Sequence, residues 1–405
     1  MKEQSQQTGY VYSDALLRYR FHNKHPFNQM RVKLTTELLK ATGYLSDSQI
    51  IKPRQATTNE IATVHNYDYI EAVKRGEKNI LTIDEQQKYG LGDEDTHIFS
   101  TIHRSTATII GGGLNLVDAI MTGQFRNGCH LAGGLHHAHE GRASGFCVYN
   151  DAAIYMKYLN ERYHQRVLYI DTDAHHGDGV QWRFFTSNQI MNYSIHETGK
   201  FLFPGSGHYT ERGTDQGFGY CINVPLEPYT EHDSFIDVFK KTVGKVAEAF
   251  QPDFIVSVNG SDIHYLDPLT HMSCNLNTLY EIPYIITDLA EKYCDGKQIM
   301  LGGGGYNIWR VVPRAWSHIY LSLIHQPPLS GKLPEAWLNK WRHYSPVPIP
   351  EYWEEQFEDY QEIPRREAIT KQNEQVASNI WFFVNVGWRD DNALSNVILL
   401  FNAFF

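Results

Sequence analysis

The chain has 405 residues, 42% of them hydrophobic and 20% charged, the balance of a folded globular protein rather than a disordered or fibrous one. A formal net charge of −10 without a sustained Lys/Arg block argues against nucleic acid as a main partner. Five cysteines, odd in number and without C-x-x-C spacing, suggest neither a disulfide framework nor a zinc knuckle, and no apolar run reaches the roughly 20 residues of a membrane span.

The opening MKEQSQQTGY has no apolar centre, so no signal peptide is expected and the location is expected to be cytoplasmic. Residues 1–30 include YRFHNKHPFNQMR, rich in aromatics and histidines and broken at Pro26. A helical pattern follows from about Arg31 to Thr42. Ala56 to Glu60 reads as a helix start with Thr57 or Thr58 as cap, and the next helix would carry Val64, Tyr67 and Ile70 at helical spacing. Residues 84–99 read as a polar, acidic, glycine-broken loop before another helix through Ile120.

From residue 128 the chain repeats one pattern: an apolar run, a polar or glycine cluster, then a helix. CHLAGG leads into LHHAHEG, VLYID into TDAHHGDG, MNYSI into HETGKFLFPGSG, FIVSVNG into SDIHYLDPL, and QIMLGGGGY into NIWRVV. Helical patterns lie at about 151–164, 234–250 and 275–294. Strands alternating with helices predict an α/β protein built on a parallel sheet. Ligands of such sheets bind outside the carboxyl ends of the strands, where every one of these polar clusters falls. Residues 326–375 are rich in proline, aromatics and acids and read as a segment draped over the core. Residues 376–405 are apolar, lack the strand–turn–helix pattern and receive no function.

The densest cluster is VLYIDTDAHHGDG, 167–179, where a β-prone run breaks into Asp171, Asp173, His175, His176 and Asp178. Three carboxylates and two imidazoles at a strand end are costly to bury without a cation, and Asp oxygen with His nitrogen suits a borderline divalent metal. The alternative is a solvated Asp/His turn. Asp262, ending another strand, is a plausible third ligand or else a turn or cap aspartate; His264 and Asp267 beside it read as supporting residues. His136 and His137 follow Gly133 and Gly134, and beside a metal they could move protons, each oriented by a carboxylate such as Asp171 or Asp178; alone they would read as surface residues. Tyr306 follows four glycines in a pattern that is not a phosphate loop, and its hydroxyl could donate to a developing oxyanion or simply be buried. Phe146 and Phe203 could wall a narrow apolar tunnel, although each singly is more often plain core.

GGLHHA, VLYIDTDAHHGDG, NGSDIHYLDPL and LGGGGYN, in this order and spacing, resemble the histone deacetylase superfamily, and within it the bacterial acetoin utilisation proteins. The resemblance spans roughly residues 8–325 and implies a single open parallel-sheet domain flanked by helices, the arginase/deacetylase fold. It implies a catalytic domain over 1–325, an extension over 326–375 packing on it, and an atypical tail over 376–405. By the same resemblance Asp173, His175 and Asp262 hold Zn²⁺ or Fe²⁺, while His136 and His137 pair with Asp171 and Asp178. Tyr306 is then the transition-state tyrosine. Gly145, Phe146, Phe203 and Gly304 line the substrate site, with Asp95 at the rim holding substrate backbone. K⁺ would sit at Asp171, Asp173, His175, Ser194 and Ile195. Ser261 stands where a small apolar residue is usual, His97 where a proline is common, and the last thirty residues do not resemble the family.

The implied reaction is metal-assisted hydrolysis of the acetyl amide of acetyl-lysine in a protein or peptide, linked to acetoin or acetate metabolism. His137 would act as general base, His136 would tune the site, and no nucleic acid or membrane partner is expected. Rival readings are an acetylpolyamine or other small-amide deacetylase and a catalytically silent acyl-lysine binding module. A binuclear manganese enzyme of arginase type is disfavoured, since it would need further carboxylate ligands. Oligomeric state is left open.

Overall fold

The computed structural model describes residues 8–355 and 360–387, without the side chains of 381–387. Its strands are β1 (Thr8–Val11), β2 (Ile50–Ile51), β3 (Asn127–His130), β4 (Val167–Asp171), β5 (Ile190–Glu197), β6 (Cys221–Leu226), β7 (Phe254–Val258) and β8 (Gln298–Leu301). They form one sheet in the order β2-β1-β3-β8-β7-β4-β5-β6, every pairing parallel. All but the edge strand β2 are buried throughout, which is why they read as continuous apolar runs rather than alternating ones. The alternation of strand and helix thus forms the expected α/β architecture.

Helices Met30–Ala41, His232–Phe250, Leu276–Tyr293 and Val312–Leu323 pack on one another along one face of the sheet. Helices Ile102–Met121 and Asp151–Tyr163 pack together on the other. After β3 the chain crosses by helix Asp151–Tyr163 to β4, leaving room between them that β7 and β8 later fill. The four central strands therefore bring the turns that follow His130, Asp171, Val258 and Leu301 together at one edge, the crevice where doubly wound sheets bind ligands.

Several sequence expectations change. Thr57 caps its helix through a capping box with Glu60, but the helix stops at Ile61. Val64 is buried in the turn that follows, and a new helix, Tyr67–Glu77, buries Ile70 and leaves Tyr67 exposed at its first turn. Part of the acidic stretch 84–99 is helical: Ile83–Tyr89 starts on a Thr82–Glu85 capping box and stops on Gly90 in the left-handed region. A capping box is a local signal that the glycines and acids of this stretch obscured. β1, β2 and β6 escaped notice because they are short or, in β6, contain Pro225; that residue sits on an edge strand, where a missing N–H is tolerated.

The segment after residue 325 is bound into the fold. Leu333, Trp337, Leu338, Trp341, Ile349 and Trp353 form a second apolar cluster with Leu34, Leu38 and Ile308. The Trp337 indole N–H donates to the Leu34 carbonyl at 3.0 Å. The Glu355 side chain is 4% exposed and accepts from His264 Nε2 at 2.8 Å and from the Leu276 N–H at 3.1 Å. Helix Arg366–Gly387 runs across residue 376, lies against β6 and helix His232–Phe250, and buries Ile369, Val376, Ala377 and Ile380. Residues 388–405 of the apolar tail lie outside the described residues.

Because Ile308 follows Tyr306 by two residues, the extension supports the turn that holds that tyrosine. Trp337→Ala is expected to cost about 3–5 kcal/mol, the usual range for emptying a buried tryptophan site, read as a lower urea midpoint at unchanged slope.

Candidate active site

Asp171 is the last residue of β4, and the chain then turns to place Asp173 and His175 beside Asp262, which follows β7. The Ala174 N–H donates to Asp262 Oδ1 at 3.0 Å, which fastens the two turns together. His175 Nδ1 lies 3.2 Å from Asp173 Oδ1 and 3.0 Å from Asp262 Oδ2. One ligand atom from each of the three lies within 4.8 Å of the others, and all three residues are buried. The Gly304 N–H donates to Asp173 Oδ2, and a Cβ on Gly304 would fall 2.1 Å from Asp262 Oδ2, so the backbone approaches this closely because residue 304 is glycine.

The electrostatics ask for a cation. Burial and the neighbouring charge of Asp173 raise the Asp262 carboxyl to about 6, and burial together with Asp262 raises Asp267 to about 8. Burial disfavours the charged form of His175, yet hydrogen bonds to Asp173 and Asp262 hold its pKa up at about 10. Two carboxylates and one imidazole, converging and removed from water, are a donor set that a divalent ion fits.

His136 and His137 follow β3 on the neighbouring turn. His136 Nδ1–H donates to Asp171 Oδ2 at 2.7 Å, and the same oxygen accepts from the Tyr169 hydroxyl at 2.7 Å. His137 Nδ1–H donates to Asp178 Oδ1 at 2.8 Å, while His139 Nε2 lies 3.1 Å from Asp178 Oδ2. The Nε2 atoms of the paired histidines are 3.0 Å apart, so one carries a proton and the other accepts it. Burial opposes protonation of His136, but the charges of Asp171 and Asp173 and the bond to Asp171 hold its pKa at about 9. Burial and the charge on His136 push His137 down to about 4 against its bond to Asp178. The proton therefore sits on His136 Nε2, and His137 Nε2 offers a lone pair.

Tyr306 ends the glycine turn after β8. Burial and the charges of Asp262 and Asp173 raise its pKa well above the usual phenol range, so its hydroxyl remains a proton donor. The peptide unit that leads into it is held at both edges: Asp267 Oδ2 accepts its N–H at 2.8 Å, and Arg31 Nη1 donates to the Gly305 carbonyl at 2.9 Å. The guanidinium of the buried Arg31 lies between the rings of Phe27 and Trp316, 4.4 and 4.7 Å from their centres. The Phe146 ring stands edge-on to Tyr306 at 5.9 Å, and the Phe203 ring edge-on to His137 at 5.1 Å. Gly145, at φ +51°, lies between: a Cβ there would meet the His137 ring at 2.6 Å and the Phe203 ring at 2.9 Å. Phe146 itself has φ +67°, costly for a bulky residue and of a kind that clusters at functional sites.

The structure thus gathers His136, His137, Asp171, Asp173, His175, Asp178, Asp262, Gly304 and Tyr306 at one edge of the sheet, with Gly145, Phe146 and Phe203 against them. Asp95 stands apart on an exposed loop, its carbonyl 3.1 Å from His25 Nε2. Ser194 lies in β5 in register with Asp171, its hydroxyl 2.8 Å from His196 Nδ1, and Ile195 is in register with Val224 of β6. Sequence reasoning passed over Arg31, His139 and Tyr169, whose partners are distant in sequence or sit inside an apolar run. His264 bonds Glu355, and Asp267 accepts from the Tyr306 backbone N–H.

Residues 25–323 match the model of the histone deacetylase domain. The chain is 60% identical over 384 residues to the acetoin utilization protein AcuC of Staphylococcus xylosus, covering 94% of this chain and 100% of that one. It is 46% identical over 375 residues to AcuC of Bacillus subtilis, covering 93% and 97%. Its fold superposes with a TM-score of 0.80 on the crystal structure of an HDAC homolog complexed with SAHA, at 25% identity, covering 92% of this chain and 100% of that one. The HDAC homolog from Aquifex aeolicus gives a TM-score of 0.79 at 25% identity, over 91% and 99% of the two chains.

Titration with Zn²⁺ is expected to raise the melting temperature, and a chelator to reverse the gain. The Asp262 carboxyl gives up its proton at about 6, so apparent affinity should fall as pH drops through that value. Asp262→Asn should weaken binding by at least about tenfold, since the amide brings no charge. Calorimetric titration at about pH 5.5 and about pH 7.5 reads both effects.

Proposed function

The chain belongs to the histone deacetylase family and is of its bacterial AcuC type, and from this membership we propose that it hydrolyses the acetyl amide of N-acetyl-lysine in protein or peptide. The observation that carries the reading is the meeting of three elements: the Asp173–His175–Asp262 donor set, the carboxylate-paired His136 and His137, and an aromatic approach past Phe146 and Phe203.

Asp173, His175 and Asp262 would hold Zn²⁺, or Fe²⁺, whose donor preferences overlap. When bound, the ion supplies Lewis acidity toward the acetyl carbonyl and toward the attacking water. His137 takes a proton from that water at Nε2, the nitrogen that its Nδ1–H bond to Asp178 leaves unprotonated, which exchanges the His136 N–H for the water. It then returns the proton to the departing amine. His136, charged against Asp171, keeps the field over the reacting carbonyl positive and favours the neutral form of its neighbour. The Tyr306 hydroxyl donates to the oxyanion, its backbone kept in place by Asp267 and Arg31. Phe146 and Phe203, with Gly145 between them, flank the lysine methylenes, and Asp95 holds the peptide backbone at the rim. Products are acetate and a lysine amine.

By resemblance to the family, a K⁺ ion would fall at Asp171, Asp173, His175, Ser194 and Ile195. Residues 1–325 are proposed as the catalytic unit with 326–375 packed on it, acting in the cytoplasm in acetoin or acetate metabolism; no role is assigned to 376–405.

The test is deacetylation of a fluorogenic acetyl-lysine peptide by metal-loaded protein. Tyr306→Phe should lower kcat by about 10²–10³, the loss that follows removal of one oxyanion donor, while metal content stays the same. A wild-type protein with metal bound and no activity on the peptide would refute the reading.

A further inference from the structure

The segment from Arg20 to Asn28 doubles back, its ends joined in an antiparallel bridge and its interior filled by the rings of Tyr19, Phe21 and Phe27. Near its tip lies His25, buried, with its ring 4.4 Å from Phe21 and 4.6 Å from the ring of Phe146. Both ring nitrogens are engaged. Nδ1 accepts from the Phe27 N–H at 3.1 Å, which leaves the hydrogen on Nε2, and Nε2–H donates to the Asp95 carbonyl at 3.1 Å. An imidazole that accepts at one nitrogen and donates at the other is neutral.

The loop that receives this bond is a tight turn. The Gly92 N–H closes on the Thr96 carbonyl at 2.7 Å, and Asp93 Oδ1 accepts from the N–H groups of Asp95 at 3.1 Å and Thr96 at 2.6 Å. These bonds define the shape of the turn but do not aim it at anything. The His25 bond does, because the same ring rests on Phe146, beside Tyr306. One side chain thus spans from the outer loop to the aromatic wall of the site.

We propose that His25 is a positioning residue for substrate, whose neutral imidazole sets the Asp95 turn against the wall at Phe146 and so governs binding of the peptide on either side of the acyl-lysine. This deepens the lysine-deacetylase reading and rests on it. His25 touches none of the reacting groups; its effect passes through Asp95 and Phe146.

The contact has a pH dependence of definite sign. Protonation would set an Nδ1–H against the Phe27 N–H, two donors face to face. Burial lowers the pKa of His25 against its bond to the Asp95 carbonyl, and nearby charge on His22 and His97 lowers it further. The titratable groups around it are the His22 and His97 imidazoles, the neighbouring Lys24, and the carboxylates of Asp93, Glu94 and Asp95. The neutral contact is complete at high pH and is lost as pH falls through the lowered pKa.

The test compares an acetyl-lysine hexapeptide with N-butylacetamide, which has no peptide flanks, using metal-loaded wild type, His25→Ala and His25→Gln. His25→Ala should raise peptide KM about tenfold more than the KM of the small amide, with kcat for the peptide held within about twofold, as the loss of one ordering hydrogen bond predicts. Glutamine can donate to the Asp95 carbonyl and should recover most of the loss. Peptide KM should climb more steeply toward acid pH in the wild type than in His25→Gln. Hydrogen exchange of residues 90–99, which needs no activity, should quicken in His25→Ala and return toward wild type in His25→Gln. Equal losses on both substrates, or unchanged exchange in His25→Ala, would overturn the proposal. A metal-loaded wild type that turns over neither substrate overturns the deacetylase reading instead, and with it the substrate role given to His25.

Discussion

Five buried carboxylates, Asp171, Asp173, Asp178, Asp262 and Asp267, converge at the carboxyl edge of the central strands, and the rest of the site answers to that concentration of negative charge. Each must be neutralised or hydrogen-bonded, because an isolated buried carboxylate costs several kcal/mol. The answers differ from one to the next. Asp171 takes the charged His136 with the Tyr169 hydroxyl, and Asp178 takes two imidazoles. Asp267 takes two backbone N–H groups, those of Leu269 and Tyr306. Among the described residues, Asp173 and Asp262 share His175 as their charged partner in direct contact and take the backbone N–H groups of His175, Gly304 and Ala174, and the geometry of this pair with His175 suits a divalent ion. Arg31 adds positive charge nearby while bonding the glycine turn rather than a carboxylate.

Such a convergence needs a sheet that can deliver several turns to one place. A meander would bring consecutive turns to opposite ends. Here every strand is parallel, so all the turns after strands lie at one edge, and the order β3-β8-β7-β4 puts the four that matter side by side. The late strands β7 and β8 insert between earlier ones, so residues between 130 and 306 that are far apart in sequence meet in one site. The same logic extends past residue 325, because Glu355 bonds His264 behind Asp262 and the tryptophan cluster packs Ile308 behind Tyr306.

Sequence reasoning reached the α/β architecture and the gathering of the chemistry at strand ends because two signals were strong there. Continuous apolar runs mark strands buried on both faces, and polar clusters at their ends break that pattern abruptly. His136, His137, Asp173, His175 and Asp262 were legible for that reason. What it could not supply were partners brought close only by folding. His139 reads as one more polar residue in HHAHEG until Asp178, from another turn, arrives beside it. Arg31 opens what reads as an ordinary amphipathic helix, and Tyr169 lies inside an apolar strand. The helix Ile83–Tyr89 was hidden for a different reason: it is short, polar and exposed, so hydrophobic periodicity has little to report.

The division of labour between the two histidines follows from their carboxylates rather than from their own settings, which are equally buried. Asp171 gives its charge mainly to one imidazole and is reinforced by Asp173 close by, so His136 is driven to hold a proton. Asp178 spreads its charge over His137 and His139, the second of which reaches toward solvent. With Nε2 atoms 3.0 Å apart, the two imidazoles cannot both be charged without strong repulsion, and the proton settles where the field is stronger. His137 is left neutral, oriented at Nδ1 by Asp178 and unprotonated at Nε2, where it accepts from His136. A site whose pair of bases is split this way has one group ready to accept a proton and one fixed cation beside it, and amide hydrolysis asks for both: a base for the water, and positive charge where the carbonyl oxygen becomes an anion.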